Sequence, residues 1–369
     1  MNLNPIPLFK VFGIQINLDF SWFFIFFLVT FTLAEGFFPH FYPGYSFIVY
    51  WIVGSISAVL LFVSVLLHEL SHSVTALHFG IPVKSINLFI FGGVAMIEEE
   101  APNPKVEFLV AAAGPLCSFT LGILFFTMAY FYPVDDLLNG IINYLMYVNF
   151  ALGLFNLVPA FPLDGGRILR AIIWTKKDLL TATRISSLSG TIFAYFLMFV
   201  GVISILQGNF INGMWYGLIG LFLRQASKTS YEQTKFSVIL SGYKVENFMQ
   251  TVKPLLPDET VLDFINFYYP FYRSSIYPVI GRDGQIYVIN IEDIKNIPEE
   301  RWSVVHVIDI AKPLIAYVSP YDSLYKALKL MNKYRLEEIP VVYGNTILGI
   351  LRKSSIELLL ERYLEEEKR

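Results

Sequence analysis

Charged residues are scarce in this chain of 369 residues: together Asp, Glu, Lys and Arg make up 15% of it, whereas 55% of the residues are hydrophobic. An ordinary soluble domain is about 25% charged, so the composition excludes a wholly soluble globular protein. The charges are also unevenly placed, since residues 1–225 hold few of them and residues 228–369 hold most. The sequence therefore predicts a membrane domain followed by a water-exposed one.

Cysteine and positive charge are scarce as well. The chain has one cysteine, Cys117, which excludes an intrachain disulfide. The formal net charge is −3, so we expect no nucleic-acid partner. The first apolar run lacks a basic segment before it and a small-residue cleavage site after it, so we expect a membrane helix there rather than a removable signal peptide.

Apolar runs predict about six membrane-spanning helices. They cover roughly residues 20–33, 47–78, 106–132, 138–157, 185–206 and 211–223, with an interfacial loop at 36–46. The loops after the odd-numbered spans contain no Lys or Arg, whereas basic residues follow the even-numbered spans. By the positive-inside rule, both termini of this multi-pass protein of the cell membrane should be cytoplasmic.

Two stretches of the apolar half predict strands instead of helices. Residues 10–18 alternate apolar and polar side chains around Gly13, which favours a short β-hairpin. Residues 86–97 are too short to span as a helix and contain Gly92 and Gly93, so we expect an extended segment at membrane level. Such backbone persists there only where protein or a cavity covers it. The alternative is a plain re-entrant loop.

Two of the five histidines stand four residues apart, in the sequence His68-Glu69-Leu70-Ser71-His72 at the end of the second apolar run. On a helix, residues at this spacing lie on one face, so both imidazoles can bind one zinc ion, with Glu69 beside them as general base. Ionisable groups at membrane depth are costly and therefore indicate function. The alternative is a pair of interfacial histidines with a glutamate that extends towards water.

A catalytic zinc ion needs a third protein ligand and an open fourth position. Asp164 is the best candidate, because the second and fourth spans run in the same direction and place Asp164 and the histidine pair at matching depth. The Gly165-Gly166 pair beside it allows close approach of backbone. Asp19, which flanks the first span, is the alternative ligand.

Beyond Tyr243 two stretches share one order of elements: helix, short strand, turn, strand and helix. They cover residues 245–297 and 307–364, a repeat of about sixty residues that we interpret as two halves of one module. The predicted domains are a membrane domain at 1–226, a linker at 227–242, and the two repeat units at 243–300 and 301–369.

Over about residues 8–226 the chain resembles the site-2 protease family of intramembrane zinc metalloproteases. The resemblance is carried by the segment His68–His72 and by the segment Asn156–Gly166, which matches N-x-x-P-x-x-P-L-D-G-G. Gly92-Gly93 and Gly114-Pro115 are also similar to the family's pattern. The tandem units resemble a pair of CBS domains, which some members of the family carry. The fold implied is a polytopic α-helical membrane protein with short membrane-level β-strands, followed by a soluble α+β tandem CBS module.

The resemblance implies one zinc ion per chain on His68, His72 and Asp164. It implies that Glu69 moves the proton from the attacking water to the leaving amine, while Asn156 contacts the scissile peptide or its oxyanion. The expected substrate is the transmembrane helix of a membrane-bound regulatory protein, cleaved near the cytoplasmic side. An unwound helix needs hydrogen-bond partners, which the strand that contains Gly92 and Gly93 could supply.

CBS domains often bind adenosine nucleotides through a Ser or Thr and an Asp three residues apart after the second strand. The first unit has Asn290 and Asp293 there, whereas the second has Arg352 and Ser355 and so lacks the carboxylate for the ribose. An adenine nucleotide is therefore expected in the first unit. The alternative is a structural module that forms a homodimer.

Two other functions fit part of these observations. A CBS-regulated transporter would place the histidines and Asp164 along a permeation path, but the membrane half has no internal repeat of the kind that many transporters show. A zinc sensor without turnover would not need Glu69. The sequence therefore favours an enzyme.

Overall fold

The computed structural model describes residues 5–90, 92–97, 100–131, 136–272 and 274–367. The chain divides into two units between Glu232 and Gln233. The helices that begin in the first unit are α1 (Phe20–Thr32), α2 (Phe38–Phe41), α3 (Phe47–His78), α4 (Pro104–Phe131), α5 (Leu137–Asn156), α6 (Asp164–Trp174), α7 (Leu179–Leu206) and α8 (Phe210–Ser241).

Within the described residues, five helical segments are long and apolar enough to cross a membrane: Phe20–Phe41, Phe47–His78, Pro104–Phe131, Leu137–Asn156 and Leu179–Leu206. The protein is thus a multi-pass membrane protein, and the first five predicted spans correspond to these segments. The predicted loop at 36–46 is wrong in its first part, because a π-helical turn, Leu33–Phe37, joins α1 to α2. Packing stabilises this continuation, since Leu33, Ala34 and Phe38 are buried against α3.

The predicted sixth span, 211–223, is not among the five. It forms the first part of α8, a helix that continues with polar residues to Ser241. The segment predicted as a linker, 227–242, is therefore helical up to Ser241. Residues 221–241 contain neither glycine nor proline to interrupt a helix, and Gly242 follows directly.

A four-stranded sheet lies in the first unit, in the order β1 (Ile6–Val11), β2 (Ile14–Leu18), β3 (Val83–Phe89) and β4 (Gly92–Ile97). Strands β1 and β2 form an antiparallel hairpin, β2 and β3 are parallel, and β3 and β4 are antiparallel. Positive φ angles at Phe12 and Gly13 make the hairpin turn, as the sequence predicts. The strands predicted near membrane depth are thus confirmed, and β4 lies at an edge of the sheet.

Buried side chains hold this sheet against α3. Ile14, Ile16 and Ile86 are fully buried, and Val65 and Leu70 of α3 pack on their cluster. Alternate residues of β2 and β3 point to the same face of the sheet, and α3 covers that face. The paired strands also satisfy each other's backbone hydrogen bonds, as a segment near membrane depth requires.

The second unit contains two three-stranded sheets, β6-β7-β8 and β5-β10-β9. Its strands are β5 (Gln250–Thr251), β6 (Ile276–Ile280), β7 (Ile286–Asn290), β8 (Lys312–Pro313), β9 (Glu338–Tyr343) and β10 (Thr346–Arg352). Its helices are α9 (Val261–Phe267), α10 (Tyr269–Tyr272), α11 (Ile291–Lys295), α12 (Val307–Ile310), α13 (Leu324–Tyr334) and α14 (Lys353–Glu367).

The two halves of this unit exchange chain segments. Strand β5 of the first repeat pairs with β10 of the second, and β8 of the second repeat pairs with β7 of the first. Each hydrophobic core also combines residues of both repeats. Val245 of the first repeat packs with Leu324 and Ile339 of the second, and Val307 of the second packs with Leu255 of the first. The sequence-based boundary at 300/301 therefore separates residues that share a core.

Candidate active site

The histidine pair lies on the buried face of α3. His68 is 3% exposed and His72 is 4% exposed, although they lie on a helix that crosses the membrane. The Nδ1 atom of His72 lies 2.6 Å from the Val110 carbonyl oxygen, and the Nδ1 atom of His68 lies 2.8 Å from the Ser118 Oγ. Both partners belong to α4, so this helix orients both imidazole rings.

Asp164 is placed beside the histidines by a break between helices. Helix α5 ends at Asn156, a loop follows, and α6 begins at Asp164 itself. A Cβ atom added at Gly165 would overlap the Leu157 carbonyl, and one added at Gly166 would overlap the Phe161 backbone. Only glycine fits at both positions, which explains why the loop can fold back tightly enough to aim the Asp164 carboxylate at the histidines.

The three side chains converge on one point. The Asp164 Oδ2 lies 3.1 Å from the Nε2 atom of His68 and 3.1 Å from that of His72, and the two Nε2 atoms are 3.3 Å apart. The Val110 carbonyl can only accept a hydrogen bond, so the His72 Nδ1 carries a hydrogen, and in the neutral ring the Nε2 presents a lone pair. A cation between the three atoms would satisfy them all.

These distances fit zinc. Ligand atoms about 2.0–2.1 Å from a tetrahedral zinc ion are about 3.3 Å from one another, close to the separations observed here. Two neutral imidazoles and one carboxylate form a donor set that zinc accepts. Among the described residues, this is the group of His, Cys, Asp and Glu side chains that could hold a metal ion.

Gly114 of α4 lies directly against the metal ligands. A Cβ atom at this position would overlap both imidazole rings, at 2.6 Å from the His68 Nε2 and still closer to the His72 Nε2. The small-residue patch around Gly114 therefore allows α4 to approach α3 at the level of the metal site.

The ligands line a cavity of about 390 Å³. Its walls also include Glu69, Asn156, Arg167, residues 92–95 of β4, and Phe222 and Leu223 of α8. A Cβ added at Gly93 would overlap the Glu69 side chain, so β4 and Glu69 are in close contact. The structure thus brings the predicted residues Glu69, Asn156, Gly92 and Gly93 to one cavity.

Asp19, the alternative ligand, does not reach this cavity. Its carboxylate caps α1 by accepting hydrogen bonds from the backbone and the hydroxyl of Ser21, at 2.9 and 2.6 Å. That role is structural, because it satisfies a free backbone donor at the start of the helix. Among the described residues, the group that could hold a metal ion contains Asp164 and not the alternative, Asp19.

The sequence did not reveal two ionic features of the site. The Arg167 Nη1 lies 4.0 Å from the Asp164 Oδ1, on the same side of α6. Arg170, one turn further on, pairs with Glu107 of α4, which is 1% exposed. Two signals in the sequence could have indicated these ion pairs. Arg167 and Arg170 lie three and six residues after Asp164, and Glu107 lies in the first turn of α4, a helix with few charges.

Asn290 and Asp293 occupy structural positions in the second unit. The Asn290 side chain caps α11 by accepting a hydrogen bond from the backbone of Glu292, at 3.0 Å. Asp293 pairs with Lys312 at 2.8 Å. Two described cavities of this unit, of about 410 and 460 Å³, are lined by other residues.

Comparison with known proteins decides the family. Residues 56–143 and 134–200 match Peptidase family M50, and residues 307–360 match the CBS domain. The chain is 35% identical to the candidate zinc metalloprotease sll0528 of Synechocystis, over 96% of this chain and 94% of that protein. It is 32% identical to the zinc metalloprotease MJ0392 of Methanocaldococcus jannaschii, over 95% and 94%. The chain belongs to peptidase family M50.

This M50 peptidase also has a solved relative, the site-2 protease from Methanocaldococcus jannaschii. The two share 35% identity and a TM-score of 0.46, over 61% of this chain and 94% of that one. The resemblance to site-2 proteases is thus confirmed by the family match, and the protein is a zinc metalloprotease of this type with a CBS module. Family membership favours the enzyme over the transporter and the sensor.

Proposed function

We propose that this M50 peptidase hydrolyses a peptide bond within or near the transmembrane helix of a membrane-bound regulatory protein. The observation that carries the proposal is the meeting, in one cavity of about 390 Å³, of a three-ligand metal site, Glu69 and an edge strand. An enzyme that cuts a membrane-embedded backbone needs each of these parts.

His68, His72 and Asp164 would hold one zinc ion per chain, because their ligand atoms converge at 3.1–3.3 Å. When bound, zinc supplies Lewis-acid chemistry that acidifies water and polarises a carbonyl group. Glu69 takes the proton of the attacking water on its carboxylate and passes it to the leaving nitrogen. Asn156 can present its side-chain amide to the oxyanion, since it lines the same cavity.

Strand β4 would receive the substrate backbone. A helix hides its peptide bonds, so the segment to be cut must unwind, and its free N–H and C=O groups then need partners in an apolar surrounding. The edge of β4 offers such partners by strand addition. Gly92 and Gly93 carry no side chains there, so the incoming chain can approach the cavity closely.

The proposed orientation places both termini, and hence the CBS module, in the cytoplasm. The support is the sequence: Lys176, Lys177 and Arg184 lie at the start of α7, and Arg224 and Lys228 follow the apolar first part of α8. Cleavage would then occur near the cytoplasmic face. The CBS module can regulate it through a bound ligand or by forming a homodimer.

An adenine nucleotide at Asn290 and Asp293 remains part of the proposal, with one structural condition. Lys312 holds the Asp293 carboxylate at 2.8 Å, so a ribose would have to displace this exposed lysine. Equilibrium dialysis of the full chain with AMP and ATP tests this point. Binding by the wild type that is lost in Asp293→Ala supports the site, whereas equal binding by both proteins refutes it.

The test of the main proposal uses the purified full chain with a tagged single-span model substrate. The wild type should cleave it and contain zinc, and Glu69→Gln should retain zinc but lose activity by at least 10²-fold, since proton transfer is worth about 10²–10⁴. Glu361→Gln, on the exposed face of α14, is the matched control and should behave as wild type. Cleavage by Glu69→Gln at the wild-type rate would refute the role of Glu69.

A further inference from the structure

A second cavity of the first unit, of about 630 Å³, lies between α7 and α8. It shares no lining residue with the metal-site cavity. The two helices are in close contact below it, because Gly220 of α8 packs on the Ala194 carbonyl of α7 and Leu223 packs on Leu197. The cavity is therefore a feature of a packed helix pair within one unit.

Its lining is basic. Arg184, Arg224 and Lys228 all contribute to the wall, and no carboxylate does. Within the described ranges of the chain, no ion pair joins any of these cations to an acidic side chain. Three uncompensated positive charges around one concave surface attract an anion, and the low-dielectric surroundings strengthen the attraction.

A buried hydroxyl provides an independent sign of a ligand. Ser187 lines the same cavity and is 6% exposed, and its Oγ has no hydrogen-bond partner among the described residues. An unsatisfied buried polar group is costly, so a partner from outside the chain is expected. Arg224 is held beside the cavity by the Tyr195 ring, with its Cζ 5.6 Å from the ring centroid. Guanidinium, ammonium and hydroxyl groups together suit a phosphate.

The position of the cavity indicates the source of that phosphate. Arg184 lies in the second turn of α7, at the end of the helix near Lys176 and Lys177. Further along α7, Leu188 and Ile192 are 59% and 62% exposed, as expected for side chains that face lipid. We propose that this cavity binds the phosphate of an anionic phospholipid whose acyl chains lie along the apolar face of α7.

The bound lipid would act on the active site through α8. Arg224 lines the lipid cavity, whereas the two preceding residues, Phe222 and Leu223, line the metal-site cavity. Ser227 donates a hydrogen bond to the Phe161 carbonyl, in the loop that leads to Asp164. A lipid that fixes Arg224 and Lys228 therefore holds one wall of the active site. This consequence rests on the proposed function, but lipid binding itself does not.

The experiment measures lipid binding to the purified full chain by native mass spectrometry, with dioleoylphosphatidylglycerol and dioleoylphosphatidylcholine as probes. The wild type should bind phosphatidylglycerol in preference to phosphatidylcholine. In Arg224→Gln/Lys228→Gln the affinity for phosphatidylglycerol should fall about 30-fold, since each basic residue near an anionic lipid contributes about fivefold. The control, Lys176→Gln/Lys177→Gln, removes the same charge outside the cavity and should retain wild-type affinity.

Two further arms complete the test. Ser187→Ala should weaken phosphatidylglycerol binding several-fold without lowering the thermal midpoint, because only the ligand uses that hydroxyl. Millimolar inorganic phosphate should not displace the lipid, because it lacks the apolar contacts along α7. Equal lipid binding by wild type and Arg224→Gln/Lys228→Gln, or an equal loss in the control, would overturn the site. Displacement by inorganic phosphate would overturn the lipid as its ligand. If the wild type binds phosphatidylglycerol but does not cleave the model substrate, the result would count against the proposed function alone.

Discussion

Replacing Gly114 by alanine should remove zinc from the enzyme without unfolding it. The added Cβ would lie 2.6 Å from the His68 Nε2 and closer to the His72 Nε2. An ordinary carbon–nitrogen contact is about 3.4 Å, so the His68 ring or α4 must shift by about 0.8 Å, and the His72 ring by more. Ligand distances at a zinc site tolerate only about ±0.2 Å, so the site cannot keep its geometry.

We expect the zinc affinity of Gly114→Ala to fall by at least 10–100-fold, the range found when groups that orient metal ligands are lost. The measurement is zinc retention against a competing chelator, with circular dichroism to confirm the helix content. Gly122→Ala is the control on the same helix, because its added Cβ would meet only the Phe150 side chain, at 3.1 Å. Wild-type zinc affinity in Gly114→Ala would refute the close packing of α4 against the ligands.

Three further predictions concern other parts of the chain. Asp164→Ala should lower zinc content, measured by atomic absorption, whereas zinc at the wild-type level would mean that another residue is the third ligand. Arg170→Met leaves Glu107 charged and buried and should reduce stability by about 3–5 kcal/mol in thermal unfolding, while Arg170→Met with Glu107→Gln should recover part of that loss. Thr260→Ala removes the capping box of α9 and should cost the second unit about 1 kcal/mol. Hydrogen bonds from Thr260 lower the pKa of Asp263, so the stabilisation should be fully present above about pH 4 and lost as the pH falls below it, as denaturant titrations at several pH values would show.

The metal site was predictable because its signals are local. The spacing of His68 and His72 on a helix fixes their common face, and Asp164 follows a helix break marked by proline and glycine. The hairpin at Gly13 and the strands of the CBS repeats are equally local, since alternation and turn residues lie within a few positions.

The remaining features depend on contacts between distant residues. No pattern in the sequence pairs Arg170 with Glu107 or the His72 ring with the Val110 carbonyl, because these partners meet only when α4 packs on α3 and α6. Hydropathy assigned residues 211–223 to a short span but could not show that α8 continues through the polar residues that follow. The polar and charged residues of 227–242 suggested a linker. This segment is helical up to Ser241, because it contains no glycine or proline before Gly242 to interrupt the helix.

The exchange of strands in the CBS module determines when this part of the protein can fold. Strand β5 pairs with Gly349 and Ile350 of β10, about a hundred residues later in the chain, so this sheet cannot close until β10 has been synthesised. The membrane half is translated first and contains all four strands of its own sheet, whereas the CBS module can assemble only after it. A premature stop before β8 would therefore remove the strand that pairs with β7 and leave β5 without its partner β10, although the strands β6 and β7 would have been translated.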